Sequence, residues 1–161
     1  MDQALLDLYN AKILELAAKV ERTKRLDHPD ATVSKESSLC GSRITIDLIM
    51  KDGRVTDYGQ TVKACALGTA AASLMAKLII GKTLAELRQL RDEMRNMLEG
   101  SGVSPAAPFE DFKILAPVVP WKSRHGSVML PFEAVAEAAV IAEKSNLQNT
   151  IEHTPAAHPA R

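Results

Sequence analysis

Lys63-Ala64-Cys65-Ala66-Leu67-Gly68 marks the point where an extended segment gives way to a helix, and it places one of only two cysteines at that junction. A cysteine at a helix N-terminus faces unpaired backbone N–H groups and the positive end of the helix dipole, which favour thiolate over thiol. Thiolate is the form that binds metals and attacks sulfur. We therefore expect the chemistry of this chain at Cys65.

The second cysteine, Cys40, precedes a segment in which every second residue from 44 to 50 is apolar, the pattern of a strand with one buried face. Asp52-Gly53 then supplies a tight hairpin turn. Antiparallel pairing brings the start of the first strand near the end of the second, so we expect Cys40 and Cys65 to be neighbours. Alternatively, both are small buried hydrophobic residues, a common fate of free cysteines.

Apolar periodicity predicts four main helices, at about residues 5–20, 66–80, 84–99 and 127–145. Gly81 is expected at the C′ position after the second helix, and Thr83-Leu84-Ala85-Glu86 is a capping box that opens the third. We expect the last helix to have Ser127 near its N-cap and Pro131 in its first turn.

The remaining segments are less regular. Gly59, in the return strand of the hairpin, indicates a bulge or a close backbone approach. Residues 21–38 are polar and are predicted to form a loop, while residues 109–115 are predicted to form a short helical turn. The elements together predict an α+β fold, in which a small antiparallel β-sheet packs against about four main helices.

Length and composition predict one domain, residues 1–145, followed by residues 146–161 as a disordered C-terminal tail. The chain has 20 Lys and Arg against 20 Asp and Glu, so no overall field attracts nucleic acid or an anionic membrane. Neither a basic leader nor a stretch approaching the length of a membrane span is visible, so we expect a soluble, cytoplasmic protein. In a reducing compartment two cysteines stay thiols unless they bind metal or take part in redox chemistry.

With these elements in place, the chain resembles the U-type iron–sulfur cluster scaffold family (IscU, SufU and the N-terminal domain of NifU). The resemblance runs from about Leu5 to Glu143. The motifs that carry it are Leu39-Cys40-Gly41-Ser42, Asp52-Gly53, Lys63-Ala64-Cys65, Ile80-Gly81-Lys82-Thr83, and Arg124 through Val135. The stretch between Gly100 and Ser123 is longer than expected of an IscU, which favours the SufU branch.

The resemblance implies a site in which three cysteines and one aspartate gather around a metal or cluster. Cys40 and Cys65 match the first two cysteine positions, but Ser42 stands at the aspartate position and Ser127 at the third cysteine. A neutral hydroxyl is a much poorer ligand than thiolate or carboxylate for zinc or iron. The chain has therefore lost half of the ligands that the resemblance implies.

Two interpretations of Ser42 and Ser127 are open. They are degenerate metal ligands, or they are a strand-start residue and a helix N-cap, and serine suits both of the latter positions. His125, two residues before Ser127, is a candidate substitute nitrogen ligand, although a loop histidine is more often exposed or hydrogen-bonded to backbone. Asp57 carries a carboxylate on the second strand and is expected to be solvated.

The function that the resemblance implies is an iron–sulfur cluster assembly scaffold rather than an independent catalyst. It would bind iron, zinc or a nascent cluster through Cys40 and Cys65 and accept sulfur from a cysteine desulfurase. Two alternatives are a metal-free interaction module that docks the desulfurase or other cluster-assembly proteins, and a persulfide carrier in which Cys65 takes up sulfur and Cys40 resolves it. A homodimer sharing two cysteines from each subunit would complete four thiolates.

Overall fold

The structure, a computed structural model, describes residues 3–153. Three antiparallel strands in the order β1-β2-β3 form one sheet that packs against the helices, so the predicted α+β class is confirmed. A 3-10 helix, Glu110–Val118, lies where a short helical turn was predicted. The elements in chain order are α1 (Gln3–Leu8), α2 (Ala11–Ala18), β1 (Ala31–Glu36), β2 (Arg43–Lys51), β3 (Arg54–Lys63), α3 (Ala66–Leu78), α4 (Leu84–Glu99) and α5 (Lys122–His153).

The β2–β3 hairpin forms as predicted. Asp52 and Gly53 have φ angles of 53° and 76°, the two positive values that a tight hairpin turn requires. The ladder runs from this turn to the pair Arg43 and Lys63, with one register shift opposite Ile49 and Met50. The hairpin therefore ends with the two segments that carry the cysteines side by side.

Gly59 marks a close backbone approach rather than a bulge. A Cβ atom added to Gly59 would lie 2.2 Å from the backbone oxygen of Lys24. The neighbouring Gln60 N–H donates to the carbonyl of Arg22 at 2.8 Å. The segment around residues 22–24 thus lies directly against β3, and only a residue without a side chain fits there.

The predicted loop over residues 21–38 contains a strand that the sequence analysis missed. Strand β1 pairs with β2 at the edge of the sheet. Only two of its side chains, Ala31 and Val33, are both apolar and buried, so its alternation is too short to stand out from a polar segment.

The loop before β1 is fixed by a buried carboxylate on β2. Asp47 accepts hydrogen bonds from the Arg25 guanidinium at 2.6 and 3.1 Å, from the Leu26 N–H at 3.0 Å and from the Thr32 hydroxyl at 2.6 Å. Burial alone would raise the pKa of Asp47, but these donors outweigh burial and hold that pKa below its ordinary value. A loop without helical structure is thereby anchored to the middle of the sheet.

The first predicted helix is interrupted. Asn10 ends the continuity between α1 and α2 because its side-chain oxygen accepts a hydrogen bond from the Ile13 N–H at 3.0 Å and so caps α2. Gly81 was predicted at the C′ position of α3. The C-cap is Ile79, so Gly81 lies one residue further on, at C″, where it has a positive φ of 85°. The predicted start of α4 at Thr83 is confirmed: the Thr83 hydroxyl accepts from the Glu86 N–H at 3.2 Å, which is the N-cap half of the capping box.

Helix α5 begins earlier and ends later than predicted. It starts at Lys122, so Ser127 lies inside the helix and is not its N-cap, and Pro131 lies beyond the first turn. Proline has no N–H, so the carbonyl of Ser127, four residues before Pro131, lacks its usual helical donor. The predicted helix start was wrong because it rested on placing Pro131 in the first turn, where proline is best tolerated.

The expected tail boundary at residue 146 is not a helix end. Asn146 donates through its side-chain nitrogen to the Met50 carbonyl at 2.7 Å and to an Asp30 carboxylate oxygen at 3.4 Å. These bonds hold α5 against the hairpin, and the helix continues to His153, so the expectation of disorder was wrong for residues 146–153. The rest of the expected tail, residues 154–161, lies outside the described residues.

Helix α5 is also the core helix of the protein. From Lys122 to Glu152 it is long and apolar enough to span a membrane, with a mean hydropathy of 1.2 over its most apolar window, so the sequence-based statement about membrane-span length was wrong. However, 67% of that window is buried inside the protein, where the helix packs on β1, β2, α3 and α4. Burial accounts for its apolar character.

The close approach at Gly59 leads to a prediction. Gly59→Ala should lower the free energy of unfolding by about 2 kcal/mol, because the added methyl meets rigid backbone rather than a movable side chain. Thermal and urea unfolding measure the change. Thr61→Ala, at an exposed position of the same strand, is the control and should stay within about 0.5 kcal/mol of the parent. Equal losses in both variants would contradict the interpretation.

Candidate functional site

The two cysteines flank the open end of the β2–β3 hairpin. Cys40 lies in the turn before β2 and is exposed, whereas Cys65 is half-buried at the N-cap of α3, with an extended backbone and no side-chain capping bond. The expected helix N-terminus at Cys65 is therefore confirmed. Because Arg43 pairs with Lys63, the two cysteines emerge from neighbouring strand ends.

Two serine hydroxyls lie between the cysteine sulfurs. The thiol of Cys40 donates to Ser42 Oγ at 3.1 Å, and the hydroxyl of Ser127 donates to the same oxygen at 3.0 Å. Ser127 Oγ is also 3.5 Å from Cys65 Sγ. Ser42 and Ser127 are only 4% and 0% exposed, and both cysteines are free thiols. The two cysteines that match the family's ligand positions and the two serines that stand at its other two positions thus form one cluster, as predicted.

The position of Ser127 depends on a glycine in α3. A Cβ atom added to Gly68 would lie 2.3 Å from Ser127 Oγ and 3.1 Å from the Ser127 carbonyl oxygen. Helices α3 and α5 are therefore in backbone contact at this point. The absence of a side chain at Gly68 is what lets a residue of α5 reach the thiols.

A third hydroxyl, Ser37, completes the surroundings of Cys40 and was not predicted. A tight turn brings it there: the Ser37 N–H donates to the Ser42 carbonyl at 2.8 Å, and the Gly41 N–H donates to the Ser37 carbonyl at 2.9 Å. A Cβ atom on Gly126 would lie 2.9 Å from Ser37 Oγ, so α5 also closes over this side chain. The signal for it in the sequence is Gly41, whose positive φ of 70° closes the turn that brings Ser37 back to Cys40.

The hydroxyls change the acidity of Cys40. Hydrogen bonds from Ser37 and then from Ser42 to the sulfur lower the pKa of Cys40 to about 7, with a smaller contribution from Ser127 and against a modest cost of burial. A hydroxyl that donates a hydrogen bond to the sulfur stabilises the charged thiolate more strongly than the neutral thiol, which lowers the pKa of the thiol. Near neutral pH, a large fraction of Cys40 is therefore thiolate.

The other two candidates lie apart from this cluster. His125 Nε2 is 3.2 Å from the Val118 carbonyl oxygen and 3.0 Å from that of Val119, so this ring nitrogen is engaged with the backbone before α5. Asp57 is half-buried on β3, where its carboxylate is 3.7 Å from the Arg22 guanidinium and accepts from the Tyr58 N–H at 2.8 Å. The structure brings neither side chain into contact with the serine pair.

The donor set of one chain does not match the four-ligand site that the family resemblance implied. Zinc and iron in such sites take four ligands, chiefly thiolate, imidazole or carboxylate. Within residues 3–153, no group of three or more His, Cys, Asp or Glu side chains is placed to hold a metal. Two thiols and neutral hydroxyls leave a tetrahedral ion two strong ligands short.

Comparison with known proteins identifies the family. Residues 8–140 match the family model of the NifU-like N-terminal domain. The iron–sulfur cluster assembly scaffold protein IscU of Thermotoga maritima is 29% identical over 133 residues, which cover 81% of this chain and 92% of that protein. The IscU scaffold protein of Streptococcus pyogenes is 25% identical over 142 residues, covering 88% of this chain and 87% of that protein.

Solved structures agree with this assignment. The N-terminal crystal structure of a NifU-like protein from Brucella abortus has a TM-score of 0.85 and 46% identity, covering 88% of this chain and 98% of that one. A SufU-type scaffold from Fervidobacterium islandicum has a TM-score of 0.74 at 19% identity, covering 83% and 98%, and shows the shared fold. The SufU branch stays a prediction. The chain belongs to the NifU-like N-terminal domain family, the family of the IscU and SufU scaffolds for iron–sulfur cluster assembly.

Proposed function

We propose that this protein accepts a sulfur atom on Cys40 from the persulfide of a cysteine desulfurase and carries it for iron–sulfur cluster assembly. The observation that supports this most directly is the state of Cys40, which is exposed and whose pKa is lowered to about 7 by neighbouring hydroxyls. An attacking thiol is most effective when its pKa lies near the ambient pH. The scaffold relatives supply the assembly context.

The transfer needs no group beyond the two proteins. The Cys40 thiolate attacks the terminal sulfur of the donor persulfide, a bond forms between Cys40 Sγ and that sulfur, and the donor's sulfur–sulfur bond breaks. The donor cysteine leaves as a thiolate, so the step involves no net oxidation or reduction. Ser37 and Ser42 stabilise the attacking thiolate by donating to it once Cys40 is ionised.

The roles of the two cysteines are reversed relative to the carrier scheme considered from the sequence, in which Cys65 took up the sulfur. Cys40 is exposed, whereas Cys65 is half-buried with Ser127 against its sulfur at 3.5 Å. A donor protein reaches the exposed sulfur first. Cys65 then serves as the second thiol, available when the carried sulfur is handed on.

A second candidate is direct binding of iron, zinc or a nascent cluster through Cys40 and Cys65. The observation in its favour is that Ser42 and Ser127, at the altered ligand positions, lie between the two sulfurs. One chain offers a metal only two thiolates, so we propose that a monomer holds metal weakly. A homodimer sharing both pairs of cysteines would supply four.

The sulfur-acceptor proposal predicts which cysteine is modified. Reduced protein incubated with a bacterial cysteine desulfurase and free cysteine should gain the mass of one sulfur atom, located on Cys40 by mass spectrometry of peptides. Cys40→Ser should abolish this gain, and Cys65→Ser should retain it. Gain on Cys65 alone, or equal gain in both single variants, would contradict the assignment.

The hydroxyl cluster predicts a pH dependence. In a Cys65→Ala background, the rate of iodoacetamide alkylation of Cys40 should rise with pH and level off, with a midpoint of about 7, because only the thiolate reacts. Ser37→Ala removes the main donor and should move the midpoint upward by about one pH unit.

Ser38→Ala is the matched control, since Ser38 is the exposed neighbour of Ser37 and no hydrogen bond from it contributes to the acidity of Cys40. Its midpoint should equal that of the parent. A shift of the same size in both alanine variants would show that the turn, rather than the hydroxyl, sets the acidity.

Restoring the altered ligands tests the metal candidate. Ser42→Asp with Ser127→Cys should create a Cys3Asp donor set, and zinc at a hundredfold excess over its dissociation constant should then stabilise the variant by about 2.7 kcal/mol. Without metal, a carboxyl group buried at position 42 should cost at least about 1–3 kcal/mol, the range for a neutral polar group, and more when it is ionised. No helix cap is lost, because Ser127 lies inside α5.

Calorimetric titration and thermal unfolding with and without zinc provide the readouts. Ser38→Asp with Ser123→Cys adds the same two groups at exposed positions and should leave zinc binding at the parent level. If the restored variant folds but binds zinc no better than this control, the serine positions are not metal-ligand positions.

A further inference from the structure

A charged groove of about 450 Å³ lies between α4, α5 and the edge strand β1. It is separate from the thiol cluster: Glu137, one of its lining residues, follows Ser127 by ten positions, about 15 Å along the helix. A molecule bound in the groove would therefore leave Cys40 accessible.

Four cations line the groove. Helix α4 contributes Arg88, Arg91 and Arg95, which recur at steps of three and four residues and so share one face, and β1 contributes Lys35. Two glutamates of α5 face them. Glu133 pairs with Arg95 at 3.1 Å, and Glu137 pairs with Lys35 at 2.5 Å.

The other two cations are not neutralised across the groove. Arg91 pairs through Nε with Asp92, its neighbour in sequence, at 3.0 Å, and its terminal nitrogens remain available. Among residues 3–153, no carboxylate lies within 4.0 Å of Arg88. The residues that line the groove thus carry four positive and two negative charges. Asp92, just outside the lining, offsets one more, so the groove keeps a local excess of one positive charge in a chain whose formal net charge is zero.

The groove also has an apolar part. Ala136, Val140 and Ile141 of α5 line it, and Ile141 is 41% exposed. An apolar surface beside free guanidinium groups matches a ligand that combines carboxylates with an apolar side chain.

We propose that this groove docks an acidic segment of a partner protein, with carboxylates bound by Arg88 and Arg91 and an apolar side chain against Ile141. Arg88 and Arg91 are three residues apart on one face of α4, about 4.5 Å along its axis, so each guanidinium can bind a carboxylate of the same peptide while the apolar side chain meets Ile141. The apolar wall formed by Val140 and Ile141 offers nothing to a uniformly charged polyanion such as nucleic acid, whereas a mixed acidic and apolar peptide can use both the guanidinium groups and this wall.

The test uses the full chain and a fluorescein-labelled synthetic peptide in which Glu alternates with Leu and Ala. Binding, followed by fluorescence anisotropy, should weaken with added salt. It should fall about tenfold or more in Arg88→Gln with Arg91→Gln, because charge-assisted hydrogen bonds are lost. Glutamine keeps helix propensity, so circular dichroism and the melting temperature should match the parent.

Two controls make the outcome decisive. Lys51→Gln with Lys122→Gln removes the same charge from exposed positions outside the groove and should leave binding unchanged. The same peptide with Gln in place of Glu should bind at least about tenfold more weakly to the parent. Loss of binding in the lysine control, or equal binding of the two peptides, would overturn the proposal.

Two further measurements exclude other ligands and other sites. Inorganic phosphate should not displace the Glu peptide at matched ionic strength; full displacement would identify a small-anion site instead and overturn the proposal. Amide NMR shifts induced by the peptide should cluster on α4 and α5. Shifts centred on Cys40 rather than on the groove would overturn it as well.

Discussion

The contact between α3 and α5 at Gly68 determines the geometry of the whole site. Because Gly68 has no side chain, the backbone of α5 comes close enough for Ser127 to lie against Cys65 and to donate to Ser42. That second bond ties α5 to the start of β2. The sheet, the helix that begins after Cys65 and the core helix therefore meet at the Ser127 hydroxyl. The exposed thiol of Cys40 lies next to it, hydrogen-bonded to Ser42.

Hydroxyls and carboxylates act in opposite directions on a neighbouring thiol. An aspartate at position 42 would help to hold a cation, but without one its negative charge would raise the pKa of Cys40. Serine donates a hydrogen bond without adding charge, so it lowers that pKa. A serine at position 42 is thus a poorer ligand for a cation than an aspartate would be, and it adds to the effect of Ser37, the main donor, in favouring the Cys40 thiolate.

The sequence was most informative where a residue type satisfies a local requirement. The positive φ angles at Asp52 and Gly53, the cap at Thr83 and the helix start at Cys65 are of this kind, and all were predicted. The sequence was least informative where tertiary contacts determine whether a segment forms a strand or where a helix ends.

Strand β1 exists because β2 offers a partner edge, and α5 extends past residue 145 because Asn146 finds the Met50 carbonyl. The clustering of Ser42 with Ser127 followed from the family resemblance. Ser37 did not, since only the folded turn brings its hydroxyl to Cys40.

Because Pro131 has no N–H, α5 is easier to bend at one point than a continuous helix of the same length. The helical hydrogen-bond ladder has a gap at the Ser127 carbonyl, so bending there breaks fewer hydrogen bonds than bending elsewhere in the helix. The gap separates a short leading segment of α5, residues 122–127, from the longer remainder of the helix. The gap coincides with the residue that lies between the two thiols: the carbonyl left without a helical donor belongs to Ser127, whose hydroxyl contacts Cys65 and Ser42.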